Sequence, residues 1–545
     1  MLNAEWPKTD MRLPRAIQIT LVATFLCYSG RAATAQEPLR IRSGLIAGTR
    51  DGDVAVYKGI PYAAPPVGEL RWKPPQPAAH WDGVRDATTF GLPCPQPPFG
   101  PMKFANEWSE DCLTLTVWSP AMPPGKRFPV MVSIPGGGFF AGGSSDPRID
   151  GRELARNGVV VVSFNYRLGV FGFFAHPRLS KESPTGVSGN YGLMDQIAAL
   201  RWVQDNIAAF GGDARNVTIF GESAGGSSVL YLMVSPLARG LFSRAVSQSA
   251  ALIYGPLVHL RERRYGREPR EAVGLRVGDD IAALRALSTK ELLARSTTAT
   301  ELMYSDTGID YWPIVDGAVL PDEPWALFES GRFARVPLII GTNADEATVF
   351  AGGLRIKTPE AWRDHLARRH PGVEAAVQAA YPAAADSDVH SAAVRWVNDW
   401  HFFGTARATA RAVSARGVPV YLYNFSRIPP VQPSARESMG AFHSADVDYL
   451  FGAPTPPFGL PDRYEETDRA LARAMKGAWV QFARTGDPNG TGLPTWPRYQ
   501  RSTDQHLDFG SEIRAGSGLH AQSLEGFDST FAKMRAVDGP RALRR

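Results

Sequence analysis

The sequence predicts an α/β fold: a large, mostly parallel, twisted sheet with helices on both faces. Three observations predict it. Short β-rich runs alternate with helical stretches along most of the chain. The strongest run, Val159–Tyr166 (VVVVSFNY), opens as an unbroken β-branched series, the pattern of a strand buried on both faces. The chain carries no repeat of roughly 20–50 residues and no low-complexity segment, which excludes solenoids and propellers.

Taken in order, Phe128–Ile134 (FPVMVSI) is a short apolar strand ending in glycines, and Val159–Tyr166 is the next. Leu193–Ile207 places Leu193, Ile197, Leu200, Val203 and Ile207 on one helical face. Val217–Phe220 reads as a strand and Gly226–Val234 as the helix after it. Val336–Gly341 and Val418–Phe425 are two more strands. Helices are expected over Ile281–Arg285, Pro359–Arg369, Val394–Val413 and Thr467–Thr485. No stretch has a linker's composition, so residues 36–545 are expected to form one large domain with long insertions.

Apolar residues make up 44% and charged residues 21%, a globular balance that excludes wholesale disorder. A formal charge of +5 over 545 residues is too dilute for a nucleic-acid footprint, and basic blocks are confined to Arg261–Arg270 and Arg541–Arg545. Residues 1–35 read as an export signal. Arg12 and Arg15 form the basic region, Ala16–Tyr28 the apolar stretch, and Ala33-Thr34-Ala35 the cleavage site. Met11 directly precedes the basic region and is an alternative start. The apolar stretch falls short of the about 20 residues a membrane span needs, so a retained anchor is the lesser reading. No other apolar run approaches that length, so no stable membrane insertion of the mature chain is expected, and the location is periplasmic or secreted. Cys27 leaves with the signal. The remaining pair, Cys94 and Cys112, suggests one disulfide in an exported chain, against the alternative of two buried thiols.

Val217–Phe220 runs straight into Gly221-Glu222-Ser223-Ala224-Gly225 and then a helix. G-x-S-x-G alone is a weak signal in a Gly-rich chain. Between a strand and a helix it is a strong one, because the tight turn lifts the Ser hydroxyl above the sheet edge and needs small flanking residues. A serine hydroxyl is a poor nucleophile and needs a base, which in turn needs an orienting carboxylate. In chain order Ser–acid–His, the base lies among the histidines after Ser223, and the acid at the end of a strand. Val336–Gly341 leads into Asp345 and Glu346. Spacing alone leaves Asp345 and Glu346 open as the acid, and His401 and His443 as the base.

These residues belong to a longer series. It takes in Tyr57-Lys58-Gly59-Ile60-Pro61-Tyr62-Ala63, Pro65-Pro66-Val67-Gly68, Arg71-Trp72, and Ser109-Glu110-Asp111-Cys112-Leu113-Thr114-Leu115. Gly136-Gly137-Gly138-Phe139, Asn165-Tyr166-Arg167-Leu168-Gly169, Gly189-Asn190-Tyr191-Gly192-Leu193-Met194-Asp195-Gln196 and Phe210-Gly211-Gly212-Asp213 follow. Pro313-Ile314-Val315-Asp316-Gly317 and Thr485-Gly486-Asp487-Pro488-Asn489 complete it. In these motifs the chain resembles the type-B carboxylesterase/lipase family of α/β-hydrolases, over nearly all of its mature length. The resemblance implies an α/β-hydrolase fold with long insertions over the active site, and a serine carboxylesterase acting on small-molecule esters without a metal or organic cofactor. It implies Ser223 as nucleophile, Glu346 as acid and His443 as base, with His401 structural. It further implies an oxyanion hole from the backbone of Gly137, Gly138 and Ala224, a Cys94–Cys112 disulfide, and a supporting contact from Ser249 to the acid.

Two departures stand out. Pro135 precedes the glycines where the family usually has His or a similar residue; it lacks an N–H and fixes φ. The Cys94–Cys112 loop is short, with Trp108 beside the signature rather than mid-loop, which argues against choline esters. All three reactive groups are present, against a non-enzymatic adhesion-type homologue. The insertion Leu257–Arg285 is strongly charged rather than amphipathic, which speaks against an interfacial lipase. Its basic character makes bulky anionic polycarboxylate esters, such as those cut by fumonisin esterases, an alternative substrate class. Phe139, Phe140, Tyr304, Tyr311, Trp312 and Phe350 are expected to furnish the acyl and alcohol pockets.

Overall fold

The structure, a computed structural model, describes residues 34–35, 37–98, 107–121, 125–251, 253–295, 311–350, 356–370, 372–430, 439–452, 464–522 and 524–537. The export-signal reading up to Ala33, and Tyr304, lie outside the described residues.

Apolar residues on alternate sides of the strands decide the layering. Val130, Val132, Val160, Val162, Leu338, Ile340, Val420 and Leu422 point into one core. Met131, Val161, Ile339, Tyr421 and Tyr423 point into another. A strand with a core on each face must be apolar at consecutive positions, which is why these segments read as unbroken runs. The sheet between the cores has twelve described strands. In chain order they are β1 (Thr34–Ala35), β2 (Thr49–Asp51), β3 (Val54–Pro61), β4 (Thr114–Pro120), β5 (Phe128–Ile134) and β6 (Val160–Phe164). Then come β7 (Gly212–Glu222), β8 (Arg244–Gln248), β9 (Leu338–Asn343), β10 (Val420–Phe425), β11 (Gln505–Phe509) and β12 (Ile513–Ser517). In space they run β1-β2-β3-β4-β6-β5-β7-β8-β9-β10-β11-β12. From β6 to β11 neighbours are parallel. The β1–β4 edge, its junction with β6, and β12 are antiparallel.

The expected strands and helices are found with small shifts, except that the strand expected over Val217–Phe220 begins at Gly212 and one helix differs. The helix expected over Val394–Val413 starts earlier, at Asp386, passes through a wider π turn at Asn398–Phe403, and resumes over Gly404–Ser414. The early start follows from Asp388, whose carboxylate accepts the N–H groups of Ala384 and Ala385 and so caps the first turn.

β6, β5 and β7 lie side by side although β6 follows β5 in sequence, so strand order reverses there. In open α/β sheets ligands collect at such a point, beyond the carboxyl ends of the strands. The glycine loop after β5, Ser223 after β7, and Glu346 after β9 all leave the sheet at that edge.

Candidate active site

At Ser223 the chain turns from β7 into α1 (Ala224–Val234) with φ 59° and ψ −125°, a strained conformation for a residue with a Cβ. Its N–H donates to the Gln248 carbonyl at the end of β8, 3.0 Å away. Strand and helix approach so closely that a Cβ at Gly221 would meet the Ile134 oxygen at 2.7 Å and one at Gly225 at 2.0 Å. Only glycine fits either place.

The loop after β5 lies against this elbow. A Cβ on Gly136 would come within 3.3 Å of the Ser223 Cβ. Gly137 and Gly138 hold φ 108° and 64°, and the Gly137 carbonyl accepts from Phe140 and Ala141, folding the loop back on itself. Pro135 contributes its carbonyl, which accepts from the Tyr166 hydroxyl at 3.0 Å. Ala224 is the first residue of α1, where a helical N–H has no partner within its own helix.

After β9 the two carboxylates part. Asp345 accepts the Ala441 N–H at 2.8 Å and so fastens the loop before His443. Glu346, fully buried, accepts the Asn343 N–H at 2.8 Å with one oxygen and sits 2.5 Å from His443 Nδ1 with the other. Of the two histidines that spacing left open, only His443 meets this carboxylate. His401 lies against Trp396 and Phe402, and burial, aided by Arg369, drives its pKa down to about 3.

His443 is flanked by the rings of Phe350 and Phe402, each centred 4.9 Å away. Its Nε2 lies 3.1 Å from Glu222 Oε1, and Glu222 also accepts the Ser444 hydroxyl at 2.7 Å. Burial opposes charge on the imidazole, but Glu222 and Glu346 outweigh it and raise its pKa to about 9. Burial raises Glu222 to about 7 against the pull of His443. Ser223 Oγ and His443 are not hydrogen-bonded to each other here. The ring prefers the carboxylate, an ionic acceptor, to a neutral hydroxyl.

Two functional neighbours escaped the sequence reading. Glu222 is inside the G-x-S-x-G motif, but nothing in the spacing shows that its side chain turns to the histidine. Asp446, three positions past His443, is fully buried and accepts from Gln248 at 2.7 Å, Tyr423 at 3.0 Å and Asn343 at 3.3 Å. It ties the ends of β8, β9 and β10 to the histidine loop.

One expectation needs correction. Ser249 makes no hydrogen bond to Glu346. Its N–H donates to the Gly341 carbonyl at 2.9 Å, φ is 48°, and its buried hydroxyl has no hydrogen-bond partner. The aromatic residues also divide. Phe139 has no exposure and packs among Phe173, Tyr231 and Trp312, while Tyr311 is buried near Phe174. Phe350 borders the histidine. Cys94 and Cys112 are joined in a disulfide. Among the described residues no group of three or more His, Cys, Asp and Glu side chains has the arrangement to hold a metal, and no helix is long and apolar enough to cross a membrane.

A doubly flanked sheet with a strained serine elbow at its carboxyl edge defines an α/β-hydrolase. The chain belongs to the carboxylesterase family: residues 35–527 match the family described by that name. It is 40% identical to the fumonisin B1 esterase of Sphingopyxis macrogoltabida, over 90% of this chain and 89% of that one. It is 36% identical to the para-nitrobenzyl esterase of Bacillus subtilis strain 168, over 86% and 94% of the two chains. A solved PNB esterase superposes with a TM-score of 0.78 at 32% identity, covering 90% of this chain and 99% of that one. The protein is thus a carboxylic-ester hydrolase.

Proposed function

We propose that this hydrolase works through an acyl-enzyme on Ser223, with His443 as general base and acid and Glu346 as the orienting carboxylate. Ser223 Oγ attacks the ester carbonyl while His443 Nε2 takes its proton. The tetrahedral oxyanion is held by the N–H groups of Gly137, Gly138 and Ala224. His443 then protonates the leaving alcohol, and water repeats the sequence to release the acid. The reading is carried by the 2.5 Å contact between His443 Nδ1 and Glu346 at the strand edge that also carries the serine elbow. That contact fixes the tautomer that leaves Nε2 to act on the hydroxyl once the ring swings from Glu222 to Ser223.

We further propose that residues 1–35 direct export to the periplasm or beyond, with cleavage after Ala35 removing β1 from the end of the sheet, and that 36–545 form one domain. The Cys94–Cys112 disulfide supports this, since such bonds persist in oxidising compartments. A second reading concerns the ester. The name of the fumonisin B1 esterase and the basic insertion Leu257–Arg285 favour a bulky anionic ester over a simple aliphatic one.

Replacing Ser223 with Ala tests the mechanism. Alanine has the same Cβ and no more strain at the elbow, so the fold is kept. Ester hydrolysis is expected to fall at least 1000-fold, and retention of more than a few per cent of the rate would remove Ser223 from the mechanism.

A further inference from the structure

His443 sits in a turn closed by the Ala445 N–H, which donates to the Phe442 carbonyl at 3.0 Å. The next residue in that turn, Ser444, holds φ 70° and ψ 7°, the left-handed conformation that turns normally give to glycine or asparagine. A serine there bears a conformational cost that glycine would not. Ser444 also begins the Ala445–Phe451 helix, where a serine hydroxyl ordinarily accepts an N–H of the first turn. It makes no such cap. Its hydroxyl instead leaves its own helix and donates to Glu222 Oε1 at 2.7 Å.

That oxygen is the one that lies 3.1 Å from His443 Nε2. The Glu222 side chain is only 14% exposed, so its ionised form depends on donors from the protein. Among the described residues two groups are placed to donate to it, the imidazolium Nε2–H and the Ser444 hydroxyl. Asp446 in the following helix and Glu346 after β9 add negative charge nearby, which makes the need for donors greater. Tyr423 on β10 and Arg148 beyond the glycine loop also act on the carboxylate through space. For His443 to serve as base, its ring must leave Glu222 for Ser223. The carboxylate then keeps the Ser444 hydroxyl. Without that hydroxyl it would be left with neither donor, and a buried anion stripped of its donors is far costlier than one that retains a hydrogen bond. Ser444 thus lets Glu222 release the imidazole.

We propose that Ser444 is a positioning residue, whose hydroxyl fixes the Glu222 carboxylate and keeps it hydrogen-bonded while His443 turns from it to Ser223. The proposal rests on the Ser223, His443 and Glu346 reading above and adds to it a group that eases the movement of the base. Ser444 acts through Glu222, not on the ester.

The test is the pH dependence of kcat/KM for 4-nitrophenyl butyrate in the full mature enzyme, corrected for spontaneous hydrolysis. Ser444→Gly removes the hydroxyl and suits the left-handed turn, so the loop is kept. Its rising limb is expected about half a pH unit or more above that of the wild type, because the carboxylate holds the imidazolium as its remaining donor. Ser444→Ala lacks the hydroxyl but keeps the strained backbone, and should give the same shift. Glu222→Gln should move the limb the other way, and in that background Ser444→Gly should add nothing. The titration of His443 itself, followed by NMR of histidine-labelled Ser223→Ala protein, needs no turnover and should rise with Ser444→Gly to the same extent. A limb and a titration that stay in place or fall in Ser444→Gly would overturn the role of Ser444, as would a shift of equal size in the Glu222→Gln background. Either result leaves the triad intact if Ser223→Ala is inactive. Hydrolysis that survives Ser223→Ala would overturn the triad instead.

Discussion

Glu346 and Asp345 are adjacent carboxylates with different tasks, and the difference is measurable. Glu346 is fully buried with one oxygen on His443 Nδ1, whereas Asp345 holds a backbone N–H of the loop. Glu346→Gln offers the imidazole an amide in place of an anion and is expected to lower kcat at least 100-fold. Asp345→Asn keeps an acceptor for Ala441 and is expected to cost less than tenfold. Equal losses would mean the acid is misassigned. Glu222 gives a second prediction. Beside an imidazolium it favours the charged ring, and His443 stands at about 9 instead of near 6.5. In the proposed mechanism the neutral ring is the base, so kcat/KM is expected to rise with pH through that region. Glu222→Gln removes the anion, makes the ring more acidic, and should move the rising limb to lower pH. A limb that stays in place would free Glu222 of this role. The same raised pKa is a stability statement. The imidazolium's pairing contributes fully below about 6.5 and is lost as pH climbs through about 9. Sequence reached Ser223 from the strand–turn–helix pattern, but spacing did not separate Glu346 from Asp345 or His443 from His401. The family resemblance separated them; within this chain the separation depends on which carboxylate turns inward after β9, which spacing alone does not record.

At the scale of elements, what was legible depended on burial. β5, β6, β9 and β10 have a core on each face, so they appear as apolar runs. β3 and β4, inside the antiparallel part of the sheet, also face a core on each side but are interrupted by Lys58, Gly59 and Thr residues, and their pairing depends on partners far apart in sequence. The helix before the π turn begins at a polar stretch, Asp386–Asp388, that gives no apolar period to read. Elements are also joined by charges that sequence shows only as isolated residues. Arg167, just past β6, makes paired hydrogen bonds of 2.8 Å to Asp195 in the Tyr191–Asn206 helix, and the pair is almost wholly buried. Asp195→Leu would strand the guanidinium away from water, a loss of about 3–5 kcal/mol by comparison with other broken buried pairs. Urea unfolding should show the midpoint fall by that measure. A fall of less than about 1 kcal/mol would mean that the pair contributes little beyond its packing.

The whole molecule places its chemistry where three chain segments from distant parts of the sequence leave one sheet edge. The strand order reverses at that edge, the kind of place where ligands collect in open α/β sheets. The Cys94–Cys112 disulfide lies outside this chemistry and acts on the unfolded chain. Closing a loop of its length contributes at most about 3 kcal/mol. Reduction, or Cys94→Ser, should therefore lower Tm while turnover at room temperature stays near normal. Loss of turnover without loss of stability would contradict that assignment. The central claim, that hydrolysis proceeds through Ser223, is tested most directly by labelling the active protein with an organophosphate and mapping the adduct by mass spectrometry. The account predicts one phosphoryl group per chain, on Ser223, appearing in step with complete loss of esterase activity. An adduct on another residue, or full activity in protein labelled at Ser223, would contradict it.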